Sequence, residues 1–454
     1  MSAITDALTR WGALTSSDLY ARVAEDFGGK RSFERALADT SNLLRFGSTR
    51  QRAYGLRREE VQPAPLWMRD QHGNDACMGQ LVAMPGGQWA MEAAEGAPPW
   101  LALGHLAGVP GVFQGLPWFV EPFRPAGFLG RTWVREHARK HGWPQDVNAW
   151  TDDQVIRAAL EEPWDWRGNL SIGPIVDMPA QLVAAASRRH IYAQRADQVM
   201  LGVVVGASAD GEQPKFTAVV DEGHAQRPVI VKFSPRLTTD PAGRRWADVM
   251  VTEAIASQVL TLHGMEAAST EMWLHDDRLW LETTRFDRIS HGLNEKQGRR
   301  GMVSLRALAQ TYNYRGPQSG WVEAARHLQR HGVVTSHEVE RTTRVAAIGH
   351  LLSNNDMHMG NLSFLLPADN GSAQLTLAPV YDMTPMRWIP SATTGAIPIL
   401  EENDPLYRTD DVEALRIAQE IWVESSRHPH VSDEWRTWAA HRAAQIGTVL
   451  PRVS

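Results

Sequence analysis

The first part of the chain carries apolar residues at helical spacing in three short runs, residues 4–11, 19–23 and 32–44. A Thr-Ser-Ser-Asp cluster before the second run is typical of a helix N-cap. Two short strand-like runs between residues 44 and 56 then surround a polar turn. Three small helices followed by a hairpin is the order of a winged helix-turn-helix module. We predict such a module for residues 1–58.

The pattern changes twice further along the chain. After a Pro-Ala-Pro linker at residues 63–65, the sequence is rich in Gly, Pro and Trp and has few clear periods. A helical run follows at residues 179–196. Continuous apolar runs, beginning with residues 199–205, then predict buried strands. The last third of the chain is mostly helical in pattern.

These patterns predict an α+β fold with four parts. The expected parts are the N-terminal module, a mixed subdomain at 66–196, a strand-rich lobe at 197–286 and a mainly helical lobe at 287–454.

Composition places the chain among ordinary globular proteins, because 43% of the 454 residues are hydrophobic and 22% are charged. There is one cysteine, Cys77, so an intramolecular disulfide is impossible, which fits a reducing compartment. Apolar runs are too short to cross a bilayer, and the N-terminus lacks the apolar core of a secretory signal. We therefore expect a cytoplasmic protein without a membrane partner.

Charge is unevenly distributed. The whole chain carries a formal charge of −6, but residues 1–58 contain ten basic and six acidic residues. A basic module of this type favours contact with DNA phosphates, although a solvated protein-contact module has the same composition. The candidate contacts lie on the third helix and the hairpin. They are Lys30, Arg31, Arg35, Arg50 and Arg52.

The segment with the most specific chemistry runs from residue 353 to 364 and lies between a helical run and a strand run. Asp356 and Asn361 are five residues apart on its loop. An Asp-Asn-Gly turn then predicts a hairpin, which returns the chain to Asp382. One amide and one carboxylate oxygen, Asn361 and Asp382, suit Mg²⁺, and Asp356 can accept a proton from an attacking hydroxyl. This is the arrangement that phosphoryl transfer requires.

A nucleotide-binding half is expected upstream. A loop of small residues between two strand runs allows backbone N–H groups to approach phosphates. Lys232 on the next strand can pair with the phosphates, with Glu253 on the following helix to orient it. The backbone from Glu282 to residue 284 lies where strands give way to helices and can hold adenine. The loop residues expected to contact ATP are Gly206, Ala207, Ser208, Gly211, Gln213 and Lys215.

With these motifs in this order, the chain resembles the HipA-type Ser/Thr kinases, the toxin components of bacterial toxin–antitoxin systems. The N-terminal module and the Gly-Glu-Gln-Pro-Lys-Phe loop are most similar to the YjjJ (HipH) branch. Asp356, His358 and Asn361 match the family's Asp-x-His-x-x-Asn motif, and Asp382 in Val-Tyr-Asp matches its second metal ligand.

The resemblance implies a two-lobed, protein-kinase-like core that uses ATP and Mg²⁺ to phosphorylate a protein hydroxyl and so inhibits growth. Asp356 is then the catalytic base, and His358 orients the catalytic loop. Lys232 matches the family's ATP lysine. Ser208 falls at the family's regulatory serine, whose autophosphorylation silences the enzyme. A HipB-like antitoxin is an expected partner.

Two alternatives stay open. Small-molecule kinases of the aminoglycoside phosphotransferase type share the Asp-x-His-x-x-Asn motif, so the loop alone does not exclude them. The other alternative is a non-catalytic DNA-binding regulator whose kinase-like body senses a nucleotide.

Two His-x-x-x-His pairs, His137/His141 and His327/His331, have the spacing of metal ligands on a helix. Each pair precedes a glycine, and the sequence supplies no third ligand beside it. We therefore predict that both pairs lie at helix C-termini, where the helix dipole favours histidine.

Overall fold

A computed structural model provides the structure. It describes residues 2–47, 52–124, 127–161, 165–177, 182–200, 213–292, 295–368, 373–391, 394–401 and 404–451.

The N-terminal part contains the three predicted helices and the predicted hairpin. The helices are α1 (Ala3–Trp11), α2 (Ser16–Val23) and α3 (Lys30–Ala38), and the strands are β1 (Leu14–Thr15), β2 (Leu43–Phe46) and β3 (Ala53–Leu56), in the order β1-β3-β2. Thr15 caps α2, as its position predicted. Helix α3 ends at Ala38 and not at residue 44, because Asn42 turns the chain with a φ of 57° before β2 begins.

The next part is an antiparallel sheet of five strands flanked by helices. Its strands are β4 (Ala64–Arg69), β5 (Asp75–Ala83), β6 (Gln88–Ala93), β7 (Val112–Gln114) and β8 (Leu170–Ile172), in the order β7-β6-β5-β4-β8. Its helices are α4 (Gly127–His141) and α5 (Asp152–Glu161). The residues predicted as a linker at 63–65 partly belong to β4, since Ala64 is buried and pairs with Leu81.

A second five-stranded sheet follows. Its strands are β9 (Leu182–Ala184), β10 (Lys215–Asp221), β11 (Gln226–Phe233), β12 (Thr270–His275) and β13 (Arg278–Thr284), in the order β12-β13-β11-β10-β9. Helix α6 (Arg188–Met200) packs on its outer face, and α7 (Gly243–Leu262) contacts β12 and β13.

The predictions around α6 were wrong in two respects. The predicted helix over 179–196 is displaced, because residues 182–184 form β9 and the helix runs on to Met200. The predicted strand at 199–205 begins with two helical residues, and its other residues lie outside the described part. Tyr192, Ala196 and Val199 share the buried face of α6, so the apolar Val199 belongs to a helical period.

The last part is mainly helical, as predicted. It contains α8 (Leu305–Thr311), α9 (Trp321–Arg330), α10 (Ser336–Leu351), α11 (Val412–Arg427) and α12 (Asp433–Val449). Short strands accompany them, namely β14 (Arg288–Ile289), β15 (Gly298–Arg299), β16 (Met302–Ser304), β17 (Ser363–Leu365) and β18 (Thr376–Leu377). Strands β17 and β18 pair antiparallel, as the turn signal predicted. Among the described residues, no helix has the length and apolarity needed to span a bilayer.

Candidate active site

Three charged side chains from distant parts of the chain meet between the strand-rich and helical parts. We call Lys232, Glu253 and Asp382 the cleft cluster. The ammonium of Lys232 on β11 lies 2.6 Å from a carboxylate oxygen of Glu253 on α7 and 2.6 Å from one of Asp382. Lys232 and Glu253 are buried, whereas the Asp382 side chain is partly exposed. The predicted pairing of Lys232 with Glu253 is thus present.

The register of the second sheet explains why Lys232 faces the cleft. Lys215 on β10 lies directly opposite Lys232, so both side chains leave the sheet on the same face. Their neighbours Phe216 and Val231 point to the other face and pack beneath α6. Lys215 and Lys232 both line a cavity that Asp382 also borders. Two cations therefore face one cavity, as polyphosphate binding requires.

The cleft cluster has shifted protonation equilibria. Burial raises the pKa of Glu253, despite the nearby charge of Lys232. Burial opposes ionisation of Asp382 as well, but the charges of Lys232 and Lys215 outweigh it and lower the pKa of Asp382. Burial would lower the pKa of Lys232, and the two carboxylates instead raise it. An ammonium between carboxylates is the stable state of this cluster.

The loop that carries Asp356 begins where α10 ends. Ser353 has a φ of 57°, which turns the chain out of the helix. The amide oxygen of Asn354 accepts a hydrogen bond from the backbone N–H of Asp356 at 3.0 Å. The side chain of Asp356 is 42% exposed, so its carboxylate is open to solvent. The loop thus holds Asp356 by its backbone and leaves the side chain accessible.

Asn361 and His358 are brought beside Asp356, as the motif predicted. The amide nitrogen of Asn361 donates to the backbone oxygen of Asp356 at 2.8 Å and to its carboxylate at 3.1 Å. His358 Nδ1 accepts from the backbone N–H of Gly360 at 3.0 Å, and the other ring nitrogen lies 3.7 Å from Asp356. His358 is therefore held in the loop by its own turn, in keeping with an orienting role.

The hairpin returns Asp382 to this loop. The Tyr381 hydroxyl lies 2.8 Å from the Ser363 hydroxyl and donates to the backbone oxygen of Gly360 at 3.4 Å. The amide nitrogen of Asn354 donates to the backbone oxygen of Asp382 at 3.4 Å. Asp382 itself has a φ of 52°, a conformation that non-glycine residues seldom adopt and that is common at functional sites.

The donor atoms in this region fit a magnesium ion. The amide nitrogen of Asn361 is turned toward Asp356, which leaves the amide oxygen as its ligand atom. Asp382 contributes a carboxylate whose lowered pKa keeps it ionised. Both are hard oxygen donors, and Mg²⁺ usually takes one or two such ligands together with water and phosphate oxygens.

The structure does not support the role predicted for Glu282. This residue lies inside β13, paired with Val231 on one side and Glu271 on the other, so its backbone belongs to the sheet. Its buried carboxylate accepts a hydrogen bond from Tyr192 at 2.7 Å and lies 2.8 Å from Arg227. Because Glu282 shares a face with Val231, it points away from the cavity. The cavity is bordered by residues 283–287, so residues 283 and 284 of the predicted segment do reach it and Glu282 does not.

Other predicted residues divide into two groups. Gly206, Ala207, Ser208, Gly211 and Arg50 lie outside the described residues, so their predicted roles stay predictions. Gln213 is described, and its amide nitrogen lies 3.1 Å from the sulfur of Met250 on α7. Lys30, Arg31, Arg35 and Arg52 are exposed, and Lys30 and Arg52 line a cleft between the N-terminal part and His105.

Sequence reasoning missed a second ionic cluster beside the cavity. We call it the hinge cluster, and its members are Asp165, Arg285, Asp287, Arg288 and Arg299. The Asp287 carboxylate lies 2.9 Å from Arg285 and 2.7 Å from Arg288, and both arginines also contact Asp165. Asp287 further accepts a hydrogen bond from the backbone N–H of Gly168 at 3.0 Å. The cluster therefore joins the segment after α5 to the segment after β13.

This junction brings the middle part of the chain to the cavity. Arg167, two residues after Asp165, lines the cavity together with Lys215, Lys232 and Asp382. The Arg-Phe-Asp-Arg run at 285–288 is a charge pattern visible in the sequence, but charge pairs across more than a hundred residues leave no periodic signal.

Comparison with known proteins gives a consistent result. A family model described as the HipA-like C-terminal domain matches residues 207–446, and one described as the middle domain of YjjJ-like toxin matches residues 60–176. Toxin YjjJ of Escherichia coli (strain K12) is 30% identical over 470 residues, covering 100% of this chain and 99% of that protein.

One solved structure shares the fold at lower identity. HipA in the complex of HipA, HipB and operator DNA from Shewanella oneidensis MR-1 covers 84% of this chain and 95% of that chain, with a TM-score of 0.51 and 13% identity. The Helicobacter pylori proinflammatory kinase CtkA covers 53% of this chain at a TM-score of 0.36 and 13% identity, which is too low to indicate a shared fold by itself.

Proposed function

This chain belongs to the HipA-like family of toxins, in its YjjJ-like branch, and from that premise we propose that it is an ATP- and Mg²⁺-dependent serine/threonine protein kinase. The observation that carries the proposal is the cleft cluster. Lys232 contacts both Glu253 and Asp382 at 2.6 Å beside the cavity, and Asn354 in the Asp356 loop donates to the backbone oxygen of Asp382. A strand lysine, a helix carboxylate and a metal-binding aspartate are the arrangement that protein kinases use.

Each residue has a distinct task in the proposed reaction. Lys232 and Lys215 hold the phosphates of ATP, and Glu253 keeps Lys232 in position. Asn361 and Asp382 would hold Mg²⁺, which supplies positive charge for the phosphate oxygens when it is bound. The substrate hydroxyl oxygen forms a bond to the γ-phosphorus, the bond to the departing ADP oxygen breaks, and Asp356 accepts the hydroxyl proton.

The test is transfer of labelled phosphate from ATP to protein by the full chain, with and without Mg²⁺. We expect Asp356→Ala to reduce the rate by about 10²–10⁴-fold, the usual contribution of a general base. The side chain of Asp356 is partly exposed, so the variant should melt at the temperature of the wild type. Glu340→Ala on α10 is the matched control, because this carboxylate is also exposed and lies outside the catalytic loop.

The same variants separate the alternatives. Phosphoproteomics after induction, wild type against Asp356→Ala, would identify the substrate and report on Ser208. Label found on a sugar or antibiotic and not on protein would favour the small-molecule kinase. Growth inhibition that persists unchanged in Asp356→Ala would favour the non-catalytic regulator.

We also propose that the N-terminal module binds DNA. Three exposed basic residues lie on one short helix, Lys30, Arg31 and Arg35 on α3, and Arg52 adjoins them across a cleft. Replacing the three helix residues by alanine should weaken binding of duplex DNA by the full chain and reduce its salt dependence. Wild-type protein that binds no duplex at low salt would contradict this proposal without affecting the kinase.

The proposed antitoxin is tested separately. Co-expression of a HipB-like protein should relieve growth inhibition and co-purify with the chain. Toxicity that is unchanged by any HipB-like protein from the same genome would contradict it.

A further inference from the structure

Helices α4 and α5 bring three metal-ligand side chains together, far along the chain from the catalytic loop. His137 and His141 are one turn apart at the end of α4, and Glu161 is the last residue of α5. One donor atom from each lies within 4.8 Å of the others, and His141 Nε2 is 2.9 Å from a carboxylate oxygen of Glu161. The helix pair thus supplies the third ligand that the sequence pattern lacks.

The surroundings of the cluster are apolar and aromatic. His137 is 2% exposed, and its ring stacks on Trp133 with ring centres 4.6 Å apart. The His141 ring stacks on Trp143 at 4.7 Å, and the two histidine rings are 4.7 Å apart. The aromatic rings therefore restrict the positions of both imidazoles at the junction of α4 and α5.

Glu161 is positioned by a neighbour on its own helix. Arg157 Nε donates to one carboxylate oxygen of Glu161 at 2.5 Å, and the other oxygen faces His141. Such outer contacts are how proteins orient a metal-binding carboxylate.

We infer that His137, His141 and Glu161 form a binding site for a divalent transition metal, best suited to Zn²⁺, that ties α4 to α5. Two imidazoles and one carboxylate are a common protein ligand set for zinc, with water in the fourth position. Tetrahedral zinc holds its ligand atoms about 3.3 Å apart, so small side-chain movements suffice to close this cluster on an ion.

The chain contains its own comparison. His327 and His331 have the same spacing at the end of α9, and their ring centres are 4.8 Å apart. His327 Nε2 lies 2.7 Å from the backbone oxygen of Tyr312, and no carboxylate among the described residues lies close enough to join this pair as a third ligand. We therefore expect metal binding at α4 and not at α9.

The test is zinc binding by the full chain after chelator treatment, followed by calorimetry and elemental analysis. We expect one zinc per chain with micromolar or tighter affinity, and at least tenfold weaker binding in Glu161→Gln and in His141→Ala. His327→Ala should bind zinc as the wild type does. Cobalt in place of zinc should give the visible absorption of a tetrahedral site, which reports on coordination without any substitution.

Several results would overturn the inference. Wild-type protein that retains no zinc and gives no cobalt spectrum would do so, as would equal affinity in Glu161→Gln and the wild type. If His327→Ala lost as much zinc affinity as Glu161→Gln and His141→Ala, the ion would not be bound at the α4–α5 site. Glu161 is exposed at 29% of its side chain, so Glu161→Gln should fold, which a zinc-free melting curve checks.

Discussion

Two ionic clusters border the same cavity but have opposite charge balance. The hinge cluster combines three arginines with two aspartates, whereas the cleft cluster places one lysine between two carboxylates. In the hinge cluster, burial lowers the pKa of Arg299 to about 9, with the like charge of Arg288 adding to it. The cleft cluster has a net negative charge, and burial raises the pKa of Glu253.

The difference indicates what each cluster does. The hinge cluster is tied to backbone groups as well as to itself, because Arg288 donates to the backbone oxygens of Trp166 at 2.6 Å and Gly168 at 3.0 Å. It joins two parts of the chain and needs no further partner. The cleft cluster has a carboxylate in excess at the edge of a cavity, so a bound cation would improve its charge balance.

Of the two clusters, the cleft cluster should give the larger effect when it is broken. Lys232→Met removes the ammonium that both carboxylates share, and we expect phosphate transfer to fall by about 10²–10³-fold, the usual loss for one preorganised charge. Lys296→Met is the matched control, since Lys296 is half exposed and pairs with Asp75 at 2.6 Å. Full activity in Lys232→Met would contradict the role of the cleft cluster.

Breaking the hinge cluster should affect stability first. Asp165→Asn keeps the shape of the side chain but removes the charge that faces Arg285, Arg288 and Arg299, and we expect a loss of about 2–3 kcal/mol in the free energy of unfolding. Denaturant titration measures it, with the exposed Asp433→Asn as control. A variant as stable as the wild type would show that the arginines are adequately compensated by Asp287 alone.

The aspartates of the hinge cluster and Glu253 of the cleft cluster should respond to acid with opposite sign. Burial opposes ionisation of Asp165 and Asp287, but the charges of Arg285 and Arg288 outweigh it and hold the pKa of each well below the ordinary 3.8. Their stabilisation is complete above that value and is lost as the pH falls below it, because the unfolded chain then binds more protons. Glu253 has a raised pKa and gives the reverse trend as the pH falls toward 4.5.

Melting curves between neutral pH and pH 3 measure the balance of these trends. We expect the wild type to lose stability more steeply than Asp165→Asn below pH 4, since the variant lacks one of the two aspartates. If the stability of the two proteins fell equally with pH, the stabilising role assigned to ionised Asp165 would be contradicted.

The smallest effect is expected at an exposed pair. Arg58 contacts Asp153 at 2.5 Å between the N-terminal part and α5, with side chains 27% and 39% exposed. Arg58→Ala should cost less than about 1 kcal/mol, because solvent screens such pairs. If Arg58→Ala lowered the free energy of unfolding as much as Asp165→Asn does, buried and exposed ion pairs would contribute equally to the stability of this protein.

Local pattern was sufficient for much of the fold. The helices α1 and α2, the hairpin β2–β3 and the hairpin β17–β18 follow from short-range signals, namely apolar spacing, an N-cap and a turn. The secondary-structure predictions were wrong in two kinds of place. At Val199 a short apolar run fitted both a helical and a strand period, and at the start of β4 prolines suggested a linker. Short apolar runs fit a strand and a buried helix end equally well, so local pattern could not decide between them.

The sequence alone determined the order of the chemical groups in the candidate site, because Lys232, Glu253, Asp356, Asn361 and Asp382 follow one another at spacings that belong to phosphoryl transfer. Only the tertiary structure decided which face of the sheet each residue occupies, and it moved Glu282 away from the cavity and brought Arg167 to it. It also supplied the hinge cluster and the third ligand beside His137 and His141. Such contacts join residues that are far apart in the chain, and they depend on how separate elements pack, which leaves no periodic mark in the sequence.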